Sequence, residues 1–360
     1  MRGFEDVDAV APAENVLSEE GELVATATER NGETIVTLRR SGGVKLKKRK
    51  WTSQSFLALF LALLPMIGFF LFSTAPLVLS LIALFCDVTI DWQGISFSWN
   101  DFNGFRMIFE KDFGAGTQFA QDFSSIFWKS LGITFWLGST QFVTLLIALG
   151  LSVLLATKCR GSKTFQVLFF IPHICSSVSV AFMWSWMFLG QPEGILNTIF
   201  GTSIRWLNNP DTIPWTIIIA IIWQAPAYGT VMFKAALANV EQSQYEAAGL
   251  DGANSWQKFW YVTLPGIMPT IFYLLIAGIS AGLLLYDMAA LIVPDPWGST
   301  IGGQDHMALT LMRLVFYFNE HRGTDPVALS AASAISWILF LLIAPVSVWL
   351  YSRREKKMEG

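Results

Sequence analysis

Residues Ser55–Cys86 read SFLALFLALLPMIGFFLFSTAPLVLSLIALFC and contain no Asp, Glu, Lys, Arg or His. A helix rises about 1.5 Å per residue, so about 20 apolar residues cross the roughly 30 Å hydrocarbon core of a bilayer. Three further runs also lack charged side chains: Ser130–Thr157, Trp215–Phe233 and Trp337–Tyr351. The sequence therefore predicts an all-α integral membrane protein.

Composition supports this class. Hydrophobic residues make up 53% of the 360 and charged residues 14%, whereas soluble domains carry about 25% charged residues. Cys86, Cys159 and Cys175 are odd in number and show no metal-ligand spacing, so we expect unpaired thiols and no metal site. No cleavable signal peptide is expected, because the first apolar run begins after position 50 and is too long for one.

The distribution of basic residues orients the chain. Residues 39–50 hold seven basic side chains and no acid, and the connection 158–163 and the tail 352–360 are also basic. With one long span at 55–86, bent at Pro76, all three fall on one side, as the positive-inside rule requires. We therefore predict six transmembrane helices with cytosolic N- and C-termini, at about 55–86, 128–157, 165–189, 213–236, 269–293 and 327–351.

The remaining segments form extensions and loops. Residues 1–50 are predicted to be a cytosolic N-terminal extension, with a β-hairpin over 22–40 around Asn31-Gly32; a mostly disordered tail is the open alternative. An extracytoplasmic loop at 87–127 is expected to carry an amphipathic helix over Asp101–Lys111. The other predicted segments are a core of five helices at 128–351, a cytosolic loop at 235–268 and a basic tail at 352–360.

The loop 235–268 carries the most informative motif. It reads Glu246-Ala247-Ala248-Gly249-Leu250-Asp251-Gly252-Ala253, followed by Val262-Thr263-Leu264-Pro265. Apolar residues at helical spacing on both sides of Gly252 predict two short helices joined there, with an apolar face that needs a partner. Gly252 permits the turn, Pro265 is expected to end the second helix, and Glu246 offers a charge for pairing. An ordinary interfacial helix is the alternative.

This motif resembles the signature loop of binding-protein-dependent ABC importer permeases of type I, with Val262 in place of Ile. The resemblance extends from about residue 60 to about residue 350. Within the family, the sequence looks like the first permease of the maltose, glycerol-3-phosphate and multiple-sugar importers. Further matching stretches are Phe169–Pro172, Trp184–Phe188, Gly194–Asn197, Ile222-Trp223, Tyr286-Asp287 and Ala328–Ser333. The resemblance implies a multi-pass permease subunit of the bacterial inner membrane that imports a carbohydrate or related polar solute.

The resemblance also implies partners. These are a second homologous permease, a cytosolic ABC ATPase dimer that binds Mg-ATP, an extracytoplasmic solute-binding protein and membrane lipid, but no nucleic acid. The chain has no Gly-Lys-Ser or Gly-Lys-Thr phosphate loop, so we expect no cofactor and no enzymatic activity in it. Contacts with the ATPase are implied for Glu246, Ala247, Ala248, Gly249, Asp251, Gly252, Ala253, Leu264 and Pro265. Docking of the binding protein is implied for Gly194, Ile195, Leu196 and Asn197.

Polar and aromatic side chains inside the spans are candidates for the solute pathway, because a polar solute must stay hydrogen bonded while it crosses hydrocarbon. Asp287 is the only acid deep inside a predicted span, and a structural bridge to another helix is its alternative role. His173 is interpreted as a packing residue, and Gly229 replaces the Asn that the family often has. The full candidate set is Trp223, Gln224, Tyr228, Gly229, Tyr286, Asp287, Asn319 and Ser333.

Two other function classes predict different patterns. A secondary transporter driven by an ion gradient predicts inverted repeats and several buried ionisable residues. A membrane enzyme predicts clustered carboxylates, histidines or a metal set at one membrane face. The sequence holds three histidines in all, and Asp287 stands nearly alone in the spans, so an ABC permease is the favoured interpretation.

Overall fold

A computed structural model describes residues 23–30, 33–40, 53–91, 94–110, 123–156, 161–190, 194–295, 301–320 and 327–358. The chain divides into two compact units, Met1–Thr74 and Ala75–Gly360. In the first unit, strands β1 (Leu23–Arg30) and β2 (Glu33–Arg40) pair antiparallel, with Leu23 opposite Arg40 and Arg30 opposite Glu33. The predicted turn residues Asn31-Gly32 and most of the basic stretch 39–50 lie outside the described residues.

Within the described residues, five segments are long and apolar enough to cross a membrane: Leu59–Phe85, Phe123–Ala156, Ile213–Ala238, Met268–Ile292 and Ala328–Arg353. A bent pair of helices, Thr164–Ile174 and Ser177–Met187, is a sixth candidate if it counts as one span. The chain is therefore a mostly helical membrane protein, as its apolar runs predict.

The first candidate span contains a proline-linked irregularity. Helix α1 (Ser53–Phe69) and helix α2 (Ala75–Phe85) are joined by a π-helical turn at Phe70–Thr74. Pro76 has no N–H to donate and its ring crowds the carbonyl four residues earlier, so the ladder widens just before it. The irregularity at the predicted bend is therefore a widened turn upstream of the proline.

The loop after α2 is structured. Strands β3 (Cys86–Asp91) and β4 (Gly94–Trp99) form an antiparallel hairpin, and helix α3 (Asn103–Phe109) follows within the range predicted to be helical. One face of α3 packs on the last long helix, and a Cβ at Gly104 would lie 2.5 Å from the Ser330 carbonyl oxygen. That close approach requires glycine.

The central helices follow in chain order. They are α4 (Phe123–Ala156), α5 (Ser162–Ile174), α6 (Ser177–Met187), α7 (Ile195–Phe200), α8 (Ile213–Gln224) and α9 (Pro226–Ala238). Helix α4 begins at Phe123 rather than at the predicted 128. The predicted third span is not one straight helix, because α5 and α6 meet at 94°. Pro172 weakens the end of α5, and Cys175 takes an extended conformation.

The C-terminal third also departs from a simple row of spans. It contains α10 (Gln242–Leu250), α11 (Ser255–Lys258), a π-helical turn (Phe259–Thr263), α12 (Leu264–Gly266), α13 (Met268–Leu283), α14 (Asp287–Ile292), a 3-10 turn (Gln304–His306), α15 (Leu311–Glu320) and α16 (Ala328–Met358). The predicted fifth span is interrupted between α13 and α14. Helix α16 continues past residue 352, where the basic tail was predicted to begin, and ends at Met358, because Arg, Glu and Lys are good helix formers.

Among the described residues of the second unit, three buried clusters hold the helices together. The first cluster surrounds α16 and includes Phe127, Phe318 and Ile335. It lies at the end of the unit that carries α3, α7 and α15, which is called the loop-rich end below. The second joins α6, α8 and α14. The third joins α4, α9 and α13 at the opposite end through Ala148, Phe233, Ile267 and Leu274. Removing a ring such as Phe233 from one of these clusters typically costs about 3–5 kcal/mol.

Candidate functional site

The segment 235–268, called here the coupling loop, folds into a preformed elbow. Helix α10 ends in a Schellman motif: the Ala253 N–H donates to the Ala248 carbonyl at 2.9 Å, and the Gly252 N–H donates to the Gly249 carbonyl at 3.1 Å. Gly252 has φ of 76°, which residues with a side chain adopt only at a cost. The glycine is therefore required by backbone conformation.

A capping box starts the second arm of the elbow. The Asn254 side chain accepts from the Gln257 N–H at 2.8 Å, and the Gln257 side chain accepts from the Asn254 N–H at 2.8 Å. The Tyr245 hydroxyl lies 2.9 Å from the Thr263 hydroxyl and ties the two arms together. A Cβ at Gly249 would lie 3.1 Å from Lys258 Nζ, so the arms also pack closely there.

The surface of the elbow is apolar and unusually exposed. Leu250 is 91% exposed, Tyr261 79% and Trp256 68%, and the Trp256 ring lies within 6.2 Å of Phe259 and Trp260. The Glu246 side chain is also exposed beside them. Large exposed apolar patches with a polar rim mark protein interaction sites. The elbow thus has the surface of a docking site.

The other residues of the motif occupy the same elbow. Ala247, Asp251 and Pro265 are exposed, whereas Ala248, Ala253 and Leu264 are half-buried. The prediction that Pro265 ends the second helix is wrong, because the chain stays helical through Gly266. Pro265 lies in the first turn of α12, where a missing N–H costs little, and the π-helical turn precedes it.

A cavity of about 500 Å³ lies among the broken helices and α4. Its polar lining comes from amides, hydroxyls, one imidazole and one phenol, supplied by Gln141, Thr144, His173, Ser177, Gln224 and Tyr228. An adjoining cavity of about 290 Å³ shares Gln141, Ser177 and Gln224 and adds Tyr286 and Asp287. Of the predicted pathway residues, the structure brings Gln224, Tyr228, Tyr286 and Asp287 together, and Gly229 also lines the larger cavity.

Hydrogen bonds and ring contacts fix these side chains. Gln224 Nε2 donates to the Pro172 carbonyl at 3.3 Å, next to the break between α5 and α6. The Tyr228 hydroxyl lies 3.3 Å from the Tyr273 hydroxyl, and the His173 ring centre lies 5.7 Å from that of Tyr228. His173 lines the cavity, and its ring centre also lies 5.6 Å from that of Phe170, so the interpretation as a packing residue stays a prediction.

Three predicted pathway residues lie elsewhere. Trp223 lines a separate apolar cavity of about 560 Å³ and packs edge-on against Trp184 at 5.9 Å. Asn319 is exposed near the end of α15, and Ser333 is buried in α16; neither lines the two polar cavities. Successive helical residues point about 100° apart, so Trp223 and Gln224 face different surfaces.

Gly229 acts in packing. It is buried, and a Cβ there would lie 2.9 Å from the Ala148 Cβ, where α9 crosses α4. An Asn at this position would displace α4. The residues that the sequence analysis missed, Gln141 and Thr144, are spaced three apart with Ala148 four further on, which places all three on one helix face. That spacing is the signal that could have found them.

The loop-rich end is held by internal polar contacts. Asn197 is 1% exposed, and its amide oxygen accepts from Trp206 Nε1 at 2.9 Å and from the Thr202 hydroxyl at 3.0 Å. Among the four predicted docking residues, Gly194 is also buried, Leu196 is half-buried and Ile195 is exposed. Asn197 therefore shapes the loop from inside, and Ile195 supplies its exposed surface.

A second loop at this end is fixed by a buried arginine. Arg313 Nη2 lies 2.7 Å from Asp295 Oδ1, and the guanidinium also donates to the carbonyls of Ala289 and Val293 at 2.7 Å. These contacts satisfy carbonyls near the C-terminal end of α14. Nearby, Lys129 binds Asp305 at 2.7 Å, and this hydrogen bond, then the charge attraction, lower the pKa of Asp305.

Comparisons with known proteins agree with this architecture. The family model for the binding-protein-dependent transport system inner membrane component matches residues 147–359, more than half of the chain. The probable ABC transporter permease protein YesP of Bacillus subtilis is 27% identical over 321 residues, covering 86% of this chain and 94% of that protein. The lactose transport system permease protein LacF of Rhizobium radiobacter is 30% identical over 241 residues, covering 64% and 78%.

A solved structure shares the fold. The crystal structure of a bacterial ABC transporter involved in the import of the acidic polysaccharide alginate superimposes with a TM-score of 0.65 at 20% identity, covering 84% of this chain and 96% of that one. The resemblance found in the motif is confirmed, and a permease is favoured over an ion-gradient-driven transporter. The chain belongs to the family of binding-protein-dependent transport system inner membrane components, the multi-pass permease subunits of ABC importers.

Proposed function

We propose that this chain forms half of the pore of an ATP-driven carbohydrate importer. A second, homologous permease supplies the other half, a cytosolic ATPase dimer that binds Mg-ATP supplies the energy, and a solute-binding protein delivers the sugar. The observation that carries the proposal is the preformed elbow at 235–268, with its exposed apolar surface around Leu250 and Trp256.

The proposed topology has six spans and both termini in the cytosol. The bent pair α5–α6 counts as the third span, and α13–α14 as the fifth. This arrangement puts the coupling loop, the basic connection 158–163 and the basic end of α16 on the cytosolic side, in line with the positive-inside rule. The loop-rich end then faces the binding protein, with Ile195 as an exposed docking residue.

The chemistry of the two polar cavities favours a sugar. Amides and hydroxyls can replace the water around sugar hydroxyls, and the Tyr228 and Tyr286 rings offer apolar faces to the sugar ring. Lactose and xylose/arabinose are named for two relatives, LacF and XacH of Haloferax volcanii, which are each 30% identical to this chain. Screening growth of a gene-deletion strain tests this assignment: loss on a carbohydrate supports it, and loss only on amino acids or peptides contradicts it.

Docking of the ATPase should depend on the apolar elbow. Buried apolar anchors at an interface typically contribute 2 kcal/mol or more, about 30-fold in affinity. Leu250→Asp should therefore weaken binding of the purified ATPase about 30-fold while leaving the folding of this chain intact, because Leu250 is 91% exposed. Leu250→Met is the matched control and should bind normally.

Glu246→Ala should weaken docking less, because a single exposed charge contributes less than a buried apolar anchor. The measurement is ATPase affinity, with ATP-dependent uptake in proteoliposomes as the second readout. Unchanged ATPase binding by Leu250→Asp, or uptake that persists without the ATPase, would overturn the proposed function.

A further inference from the structure

Two of the spans are interrupted beside the same cavity. In the third span, α5 ends at Ile174, Cys175 and Ser176 are extended, and α6 begins at Ser177 after a 94° bend. In the fifth span, α13 ends at Leu283 and α14 begins at Asp287. Each interruption divides its span into a piece near the coupling loop and a piece near the loop-rich end.

The first residues of the two outer pieces bind each other. The Ser177 hydroxyl donates to Asp287 Oδ2 at 2.9 Å, although the two residues are 110 positions apart. Both line the smaller polar cavity, together with Gln141 and Gln224. A hydroxyl-to-carboxylate bond is stronger than a bond between neutral groups, and it gives Asp287 a protein partner in this structure.

In the fifth span, the pieces on either side of the interruption join different buried clusters. The outer pieces α6 and α14 share one buried cluster with α8, in which Val180 and Ala181 meet Met288 and Ala289. The inner piece α13 joins the other two clusters: Leu283 packs in the cluster around α16, and Leu274 packs with α4 and α9. The coupling loop enters that inner cluster directly through Ile267, at the start of α13.

We propose that Ser177 and Asp287 are positioning residues that pin the outer pieces of the third and fifth spans together, so that movement of the coupling loop bends both spans at their interruptions. In this arrangement Asp287 acts on the conformational cycle through Ser177, and it is not a ligand of the solute. The inference rests on the proposed function, because it needs a coupling loop that a motor displaces.

Cys175 provides a reporter at the interruption, since its thiol is exposed and lines the larger cavity. The test uses the complete transporter in right-side-out membrane vesicles, with Cys86→Ser and Cys159→Ser so that Cys175 is the remaining thiol of this chain. The probe is a membrane-impermeant maleimide added outside, with and without ATP inside. The rate of Cys175 labelling reports access from the outer face and needs no solute.

Loss of the pin should loosen the outer pieces without ATP. Ser177→Ala and Asp287→Ala should each raise the ATP-free labelling rate about tenfold, as expected for losing a hydrogen bond to a charged group. The double variant should be no faster than either single variant, because both remove the same contact. Ser177→Thr and Asp287→Asn keep a donor and an acceptor and should restore a rate near the wild type.

The matched control is Ser179→Ala, an exposed serine on the same helix that lines a different cavity; its labelling should equal that of the wild type. Unchanged labelling in Ser177→Ala and Asp287→Ala would overturn the pin. A second result would also overturn it: Asp287→Asn raises the labelling rate as much as Asp287→Ala, while Ser177→Ala leaves the rate unchanged. That result would assign Asp287 a charge-dependent role of its own. A wild-type labelling rate that does not change when ATP is added would instead overturn the proposed function.

Discussion

Arg313 and Asp295 form an ion pair of 2.7 Å in which the guanidinium is 4% exposed. Asp295 also accepts from the Gly302 N–H at 2.6 Å, so the pair fastens the loop after α14 to α15. Neither residue was singled out in the sequence, because the partners lie on different elements. The pair shows that the loop-rich end has a polar core of its own.

Replacing Arg313 should destabilise the fold strongly. Arg313→Met removes the guanidinium that donates to Asp295 and to the carbonyls of Ala289 and Val293. Breaking a buried ion pair typically costs 3–5 kcal/mol, and partial exposure of Asp295 places the expected loss at about 3 kcal/mol. Thermal unfolding of the detergent-purified protein measures it. A midpoint equal to the wild type would contradict the structural role.

Gly252 should tolerate asparagine better than alanine. Its φ of 76° costs an L-residue about 1–2 kcal/mol, and Asn adopts this conformation more readily than most. Among the residues that the structure describes, none lies within 4 Å of a Cβ built there, so the cost is conformational. ATP-dependent uptake should fall in the order Gly, Asn, Ala, Val, with normal expression throughout. Equal activity of Gly252→Val would show that the turn is not needed.

Gln224 and Trp223 should behave differently although they are neighbours in sequence. Gln224→Leu removes the amide from the polar cavity and should raise the KM for uptake about tenfold. Trp223→Phe changes an apolar cavity and should leave the KM nearly unchanged. Kinetics of uptake with the delivered sugar separate them, and the reverse pattern would assign the pathway to the Trp223 side.

The close contact between α4 and α13 should leave no room for an added Cβ atom. A Cβ at Gly282 would lie 2.8 Å from the Gly138 Cα, so Gly282→Ala should cost roughly 1–3 kcal/mol through a forced shift of the helices. Gly132→Ala on α4 is the control, because no neighbour in the described part of the chain lies within 4 Å of a Cβ built there. The two unfolding midpoints in detergent give the comparison; a harmless Gly282→Ala would mean that the crossing is looser.

The Lys129–Asp305 ion pair should contribute little to stability at neutral pH, and this contribution should disappear only in acid. Lys129 lowers the pKa of Asp305 below its ordinary 3.8, so the contribution to stability is present above that value and disappears as the pH falls through the lowered pKa. Both side chains are partly solvated, so the effect is small. The difference in unfolding midpoint between wild type and Lys129→Met should be constant from pH 8 to about pH 5 and shrink in stronger acid; a difference that grows in acid would contradict this assignment.

The sequence predicted the features that depend on local pattern. The apolar runs located the membrane helices, and the Glu246–Pro265 motif identified the family, because both signals lie within short stretches of chain. Features that depend on which way a helix faces were missed. Trp223 and Gln224 both lie in an apolar helix, so periodicity could not tell which of them meets the cavity.

Helix interruptions were the second source of error. The 94° bend that brings Ser177 to Asp287 depends on packing between distant segments. The same holds for His173, which reaches the cavity only because α5 ends beside it. Such contacts follow from tertiary structure, and a single sequence contains no signal for them.

Leu250, Trp256 and Tyr261 stand in solvent when the chain is alone. A surface of this kind attracts other exposed apolar surfaces, including those of chaperones and of further copies of itself. If the proposed ATPase covers this surface, each copy of this subunit made without that partner leaves the apolar surface exposed. We expect matched synthesis of the two proteins to set how much of this subunit accumulates.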